Sequence, residues 1–267
     1  MIELNSEHFS TVLPLYRETG RCFPLISAVI QNLQQGQIFA DSAVSPTSAL
    51  VFSKFGFMQI IGKQDNYNFN DSLVFAFQNS NQIPLQYVMW YDPPLFWQQK
   101  LEQLPPDVVK IRGRIRFEFH PERAAWYLNQ KIAIPDNYEL SKLSLELIDK
   151  TDKFKLNISS RFWASNEEVV EKANGVCLIN NGEIASLCYA ACVCDGLAEV
   201  DIVTDPDYRG KGLATLVAQQ FIVNCLSNNL VPAWDCFDYN SGSCRVASSL
   251  GFIEKYRYKF LSFSTFR

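Results

Sequence analysis

From Val176 onward the apolar and polar positions fall into a readable series. Val176 to Asn180 and Glu183 to Cys194 flank Asn181-Gly182, and Asp195-Gly196 links the second stretch to Leu197 to Thr204. Both dipeptides suit the positive φ of tight hairpin turns, so the pattern predicts a three-strand antiparallel meander. After Thr204 the period changes. Leu213, Leu216, Val217, Phe221 and Cys225 recur at threes and fours, which predicts a helix from Gly210 to Ser227. Val231 to Cys236 reads as a short buried strand, Asn240 or Ser241 as the cap of a helix ending at Gly251, and Tyr256, Tyr258 and Phe260 alternate with Lys255, Arg257 and Lys259 on a last strand. Upstream, Leu143 to Ile148 reads as a strand and Asp152 to Phe162 as helical. Ser165 and Glu168 fit the capping box of a further helix that stops at Gly175.

The first half is less regular. Gln37 to Ala40, Leu50 to Phe52, Phe57 to Ile61 and Leu73 to Phe77 read as strands, with amphipathic helices near both ends of that half. From Lys110 the chain alternates strictly, with Lys110, Arg112, Arg114 and Arg116 on one strand face and Ile111, Ile115, Phe117 and Phe119 on the other. Such a cationic stripe is a solvated face, a phosphate site or a dock for an acidic surface of the other half. The turn residues of Ile134 to Leu140 mark a domain boundary, giving an N-terminal α/β domain over 1–135 and a second domain over 136–267.

Composition narrows the function classes. The chain of 267 residues has 24 Lys and Arg against 28 Asp and Glu, a net charge of −4 that argues against a nucleic-acid or membrane-surface binder. Residues 1–135 carry 11 cations and 11 anions, so the whole surplus lies in the 13 cations and 17 anions of 136–267. With only His8 and His120 and no CxxC pair, no metal is expected. The eight cysteines, seven of them from Cys177 on, suit a reducing cytoplasm as free, mostly core thiols. Cys188, Cys192 and Cys194 share parity and are expected on one strand face.

The chemistry concentrates in Asp201 to Phe221, where Gly210 and Gly212 with Arg209 and Lys211 open a helix directly after a strand. Unpaired N–H groups of a first helical turn, approached closely past glycines, make an anion cradle. Neither GxxxxGK[ST] nor GxGxxG is present, since Thr215 stands at the third glycine position.

These residues resemble the GNAT superfamily of N-acetyltransferases, whose signature [Q/R]xxGx[G/A] is met by Arg209, Gly212 and Ala214. The runs Thr204 to Thr215, Cys225 to Cys236 and Asn240 to Phe252, with a weaker likeness over Gly36 to Gly62, are similar to a bacterial two-domain subfamily that includes the zwittermicin A resistance type acetyltransferases. The resemblance implies a GNAT fold, a mixed and mostly antiparallel sheet flanked by helices. It also allows the N-terminal half to be a degenerate GNAT-like unit, on the acceptor side or structural. It further implies acetyl-CoA as co-substrate, its pantetheine arm along Ile202, Val203 and Thr204. The pyrophosphate would lie on Arg209, Gly210, Lys211, Gly212, Leu213 and Ala214 beside Thr215, and Asn240 and Ser243 would contact CoA. Asn240 read alone is equally a helix cap.

Acetyl transfer to an amine needs a group to take the ammonium proton, and Glu199 and Asp201 share one face of the strand before the loop. Glu199 looks like the strand glutamate that serves as base in several relatives; an ion-paired or solvated face is the other reading. Many relatives carry a tyrosine where this chain has Ala247, so Tyr239, Ser243 or water is left as acid. Cys236 and Cys244 raise a covalent route, whereas the resemblance implies direct transfer. Six acids between Glu199 and Asp238, against Arg209 and Lys211, suit a small cationic primary amine. Trp163, Trp234 and Tyr239 are candidate pocket walls. The expectation is a cytoplasmic N-acetyltransferase compatible with a homodimer; a protein or peptide Nα-acetyltransferase and a non-catalytic CoA-binding module are the alternatives.

Overall fold

The computed structural model describes residues 1–78, 87–102 and 109–264. Its contacts divide the chain into two compact units, Met1–Arg114 with Tyr258–Arg267, and Ile115–Arg257. This division falls elsewhere than at Pro135. It cuts two long strands, because a strand belongs to whichever sheet its residues pair with, and no turn marks that choice.

The first unit contains β1 (Ile2–Glu3), α1 (Leu13–Glu18), α2 (Pro24–Ile30), β2 (Gly36–Ala40), β3 (Ser48–Ser53), β4 (Phe57–Gly62), α3 (Tyr67–Gln78), β5 (Tyr87–Tyr91) and α4 (Leu95–Leu101). It also holds the start of β6 (Val109–Phe119). β1 to β4 pair antiparallel in sequence order, and β4 and β5 pair parallel through Phe57↔Met89 and Met58↔Trp90. The stretch Leu73 to Phe77, expected as a strand, lies inside α3. Phe69, Leu73 and Ala76 recur at helical spacing and enter one core with Leu50, Met58 and Trp90. A short apolar run does not separate the two readings by itself.

The second unit continues from β6 through α5 (Ala124–Asn129), β7 (Glu139–Lys142), α6 (Leu145–Ile148), α7 (Ile158–Phe162) and α8 (Asn166–Lys172). Then follow β8 (Val176–Asn180), β9 (Glu183–Cys194), β10 (Leu197–Thr204), α9 (Leu213–Ser227), β11 (Val231–Phe237), α10 (Ser241–Ser249) and β12 (Phe252–Ser264). The meander appears with its expected bounds, and Asn181, Gly182, Asp195 and Gly196 all have positive φ. Leu143 to Ile148 is not a strand. The strand lies earlier, in β7, and the Ser144 hydroxyl accepts the Leu147 N–H, turning the chain into α6. Ser165 caps α8 by accepting the Glu168 N–H, while the Glu168 carboxylate accepts the Ala164 N–H. Within this unit the strands neighbour one another in the order β6-β11-β10-β9-β8-β7. Here too only one neighbouring pair of the series β7 to β11 is parallel, β10 with β11.

The two halves of the sequence therefore repeat one order of elements, strand, helices, three strands, helix, strand, helix, strand, although no fixed-period repeat is visible in the residues. In each half the final strand joins the other sheet. β6 ends beside β11, and the end of β12 pairs antiparallel with β5 through Phe260↔Tyr91 and Leu261↔Trp90. The halves differ where the parallel pair opens. The β10–α9 connection carries two glycines, whereas Lys63 to Asn66, between β4 and α3, carries none. Among the described residues no helix is long and apolar enough to cross a membrane.

Candidate functional site

Parallel pairing of β10 with β11 runs from Leu197↔Val231 to Glu199↔Ala233 and stops, although β10 continues to Thr204 and β11 to Phe237. Beyond that point the strands part, and among the described residues the edge of β10 that faced β11 pairs with no other strand. The opening, closed off by the first turns of α9 and α10, holds a cavity of about 760 Å³. Its lining includes Ile202, Val203, Thr204, Arg209, Gly210, Gly212, Leu213, Ala214, Thr215, Asn240 and Ser243. Of the residues expected around a cofactor, Lys211 alone is outside it; its ammonium donates to the Asp207 carbonyl (3.2 Å) and stands over the Tyr208 ring.

The loop is built to leave donors unused. Backbone N–H groups of Gly210, Lys211, Gly212, Leu213 and Ala214 have no acceptor among the described residues, because α9 begins only at Leu213 and its own carbonyls bond onward. Gly210 and Gly212 both sit at φ +76°, and nothing lies within 4 Å of where a Cβ would stand. Glycine is thus demanded by backbone conformation, and the space beside it is open. A helix of 15 residues directs its positive end to the same point, which makes an anion-binding concavity.

α10 forms the facing wall. Asn240 Oδ1 accepts the Ser243 N–H at 3.1 Å, so the cap and the lining role fall on the same side chain. Ser243 Oγ accepts the indole N–H of buried Trp234 at 3.0 Å. Trp163 is also buried and donates to the Ala190 carbonyl, so neither tryptophan is a pocket wall here. Arg245 was missed from sequence: Gly242, Arg245, Val246 and Ser249 line the cavity at helical spacing, a stripe that the cap at Asn240 makes readable. Tyr239 is outside this lining, 63% exposed and stacked on Phe237, and Ala247 is fully buried.

The candidate carboxylates are not part of that lining. Glu199 pairs with Cys192 and Val200 with Ala190, so a bulge at Ala191 intervenes. Cys188, opposite Ile202, and Cys192, opposite Glu199, consequently lie on opposite faces, which corrects their shared parity. Asp201 accepts the Tyr189 hydroxyl at 2.6 Å. Burial above all, and then the Asp201 charge, hold that phenol's pKa well above its ordinary value, so it remains a donor.

Glu199 is engaged differently. Arg116 Nη1 lies 2.8 and 2.7 Å from its two oxygens and 3.8 Å from Asp235, with side-chain exposures of 6% for Arg116, 15% for Glu199 and 2% for Asp235. Burial opposes the guanidinium charge, but the two carboxylates outweigh it and raise the arginine pKa. Arg116 thus pairs with buried acids of its own unit, which differs from each reading open for the cationic stripe.

The model of the family described as GNAT acetyltransferase matches residues 15–261. The chain is 24% identical over 250 residues to an uncharacterized N-acetyltransferase, YdfB, of Bacillus subtilis, covering 94% of each protein. A GCN5-related N-acetyltransferase-like protein of Streptococcus suis superposes with a TM-score of 0.73 at 20% identity, covering 97% of this chain and 99% of that one. A tandem GNAT protein from the clavulanic acid biosynthesis pathway superposes with a TM-score of 0.67 at 13% identity, covering 98% and 96%. With the family model spanning nearly its whole length, this chain belongs to the GNAT acetyltransferase family.

Proposed function

We propose that this GNAT acetyltransferase uses acetyl-CoA to acetylate, by direct transfer, the primary amine of a small cationic acceptor, and that it stands in the two-domain subfamily of the zwittermicin A resistance type. The observation that carries the reading is the cradle of unpartnered N–H groups from Gly210 to Ala214 opening onto the cavity. Those donors fit a pyrophosphate, with Arg209 and Arg245 adding charge and the Thr215 hydroxyl close by. The free edge of β10 at Ile202, Val203 and Thr204 suits the amides of a pantetheine arm, and Asn240 and Ser243 face it from α10. Acetyl-CoA supplies the acetyl group as an activated thioester.

This chain's residues then have two tasks. One is to take the proton of the acceptor's ammonium, for which Asp201 is the better placed carboxylate: its Oδ2 is held by Tyr189, while both oxygens of Glu199 are taken by Arg116. The other is to stabilise negative charge on the thioester oxygen, for which a main-chain N–H near Val203, on the edge of β10 that leaves β11, is the donor. Glu199, Asp201, Asp205, Asp207, Asp235 and Asp238 supply the field that favours a cationic acceptor.

Titration calorimetry with CoA, followed by free-thiol release across a panel of amines and N-terminal peptides, tests the reading. CoA binding and release driven by small amines are expected. Release with peptides alone overturns the acceptor class, and binding without any amine-dependent release overturns transfer to amines. A second test is local. Gly212→Ala forces a Cβ into the left-handed region at roughly 1–2 kcal/mol, so CoA affinity should fall about 5- to 30-fold. An unchanged affinity removes the loop from the cofactor site.

A further inference from the structure

Most cysteines of the second unit are sealed in its core; burial alone pushes the Cys177 thiol up to about 12. Two are arranged differently, although burial pushes the Cys236 thiol up to about 12 as well. Cys236 Sγ on β11 and Cys244 Sγ on α10 stand 3.6 Å apart, in van der Waals contact without a bond. Their surroundings are unequal: Cys236 is buried, whereas Cys244 is partly exposed. A thiol that solvent reaches is the one to react first, and its buried neighbour is placed to resolve it.

We propose that Cys236 and Cys244 are an oxidisable dithiol, a modification site that a hydroperoxide closes to an intramolecular disulfide and whose closure weakens CoA binding. The first step joins the Cys244 thiolate to one oxygen of the hydroperoxide. The O–O bond breaks, the leaving alkoxide takes up the Cys244 proton as an alcohol, and Cys244 becomes a sulfenic acid. Cys236 sulfur then attacks the Cys244 sulfur. The S–O bond breaks, and hydroxide leaves with the Cys236 proton as water. In sum, two thiols and one hydroperoxide give a disulfide, an alcohol and water, with two electrons passing from the sulfurs to the peroxide.

The effect on binding follows from where the pair sits, and it rests on the CoA reading above. A disulfide needs its sulfurs about 2.05 Å apart, so closure draws the first turn of α10 toward β11. That turn carries Gly242 and Ser243 of the cavity lining, with Arg245 directly after it, and Ser243 also holds Trp234. Because coupling is reciprocal, bound CoA favours the dithiol by the same factor that the disulfide disfavours CoA.

The test uses the full chain, reduced and then exposed to hydrogen peroxide. Intact mass should fall by two hydrogens, and peptide mapping should link Cys236 to Cys244. Calorimetry with CoA should show affinity weakened about tenfold in the oxidised form and restored by a reducing agent. Cys244→Ser and, independently, Cys236→Ala should bind CoA like the reduced protein and lose the peroxide response. An unchanged mass, a link through another cysteine, or oxidation that stops at a Cys244 oxyacid overturns the dithiol. Closure with unaltered CoA affinity overturns the coupling. Failure of the reduced protein to bind CoA overturns the CoA reading and with it the coupling, while the mass shift still decides the dithiol.

Discussion

Arg116→Met should destabilise the protein by roughly 3–5 kcal/mol, because it removes the buried cation that Glu199 and Asp235 share. In a chain of this size that loss corresponds to a fall of about 6–20 °C in thermal midpoint. The cost comes from uncompensated charge more than from a missing contact; methionine fills most of the arginine's volume. A companion measurement separates these causes. Adding Glu199→Gln and Asp235→Asn to the Arg116 variant should return much of the lost stability, since neutral amides need no counter-charge. A loss below about 1 kcal/mol is what a solvated surface pair gives, and it would show that water reaches these carboxylates.

Asp201→Asn should lower kcat by about a hundredfold or more, the usual scale for losing a positioned proton acceptor, with CoA affinity unchanged. The substitution keeps the shape and keeps an oxygen for the Tyr189 hydroxyl, so packing is preserved while the proton acceptor is lost. Glu199→Gln should cost far less in turnover, because its oxygens already serve Arg116. Steady-state kinetics on both variants, with calorimetry for CoA, decides the assignment. If the order is reversed, Glu199 takes the proton and its arginine contact opens when the acceptor binds.

Legibility tracked how local each cause was. Asn181-Gly182 and Asp195-Gly196 set their turns by their own φ, so the meander could be read to the residue. Gly210 and Gly212 announced the cradle for the same reason, and they also show why α9 starts at Leu213, three residues later than the periodicity alone implied. LVFAF in α3 was ambiguous, since five apolar residues satisfy a buried strand and a buried helix equally. The Ala191 bulge inverted the faces assigned to Cys188 and Cys192, and no residue type marks a bulge reliably. Least legible was the Arg116 partnership, which joins positions 83 residues apart. Alternation put Arg116 on a cationic stripe; only the sheet order puts that stripe's end over Glu199 and Asp235.

The exchange of final strands has a meaning for how the chain is made. On a ribosome the first unit emerges without the partner of β5, which is the end of β12 and is synthesised only after the second unit. Until then β5 presents an unpaired edge, the kind of surface on which strands from other chains add. β6, by contrast, emerges early and waits for β11. Neither half can be finished as a separate folding event, and a gene cut at Pro135 would yield two fragments, each lacking a strand that the other supplies. The protein is written as two similar paragraphs, each of which ends with the other's last line.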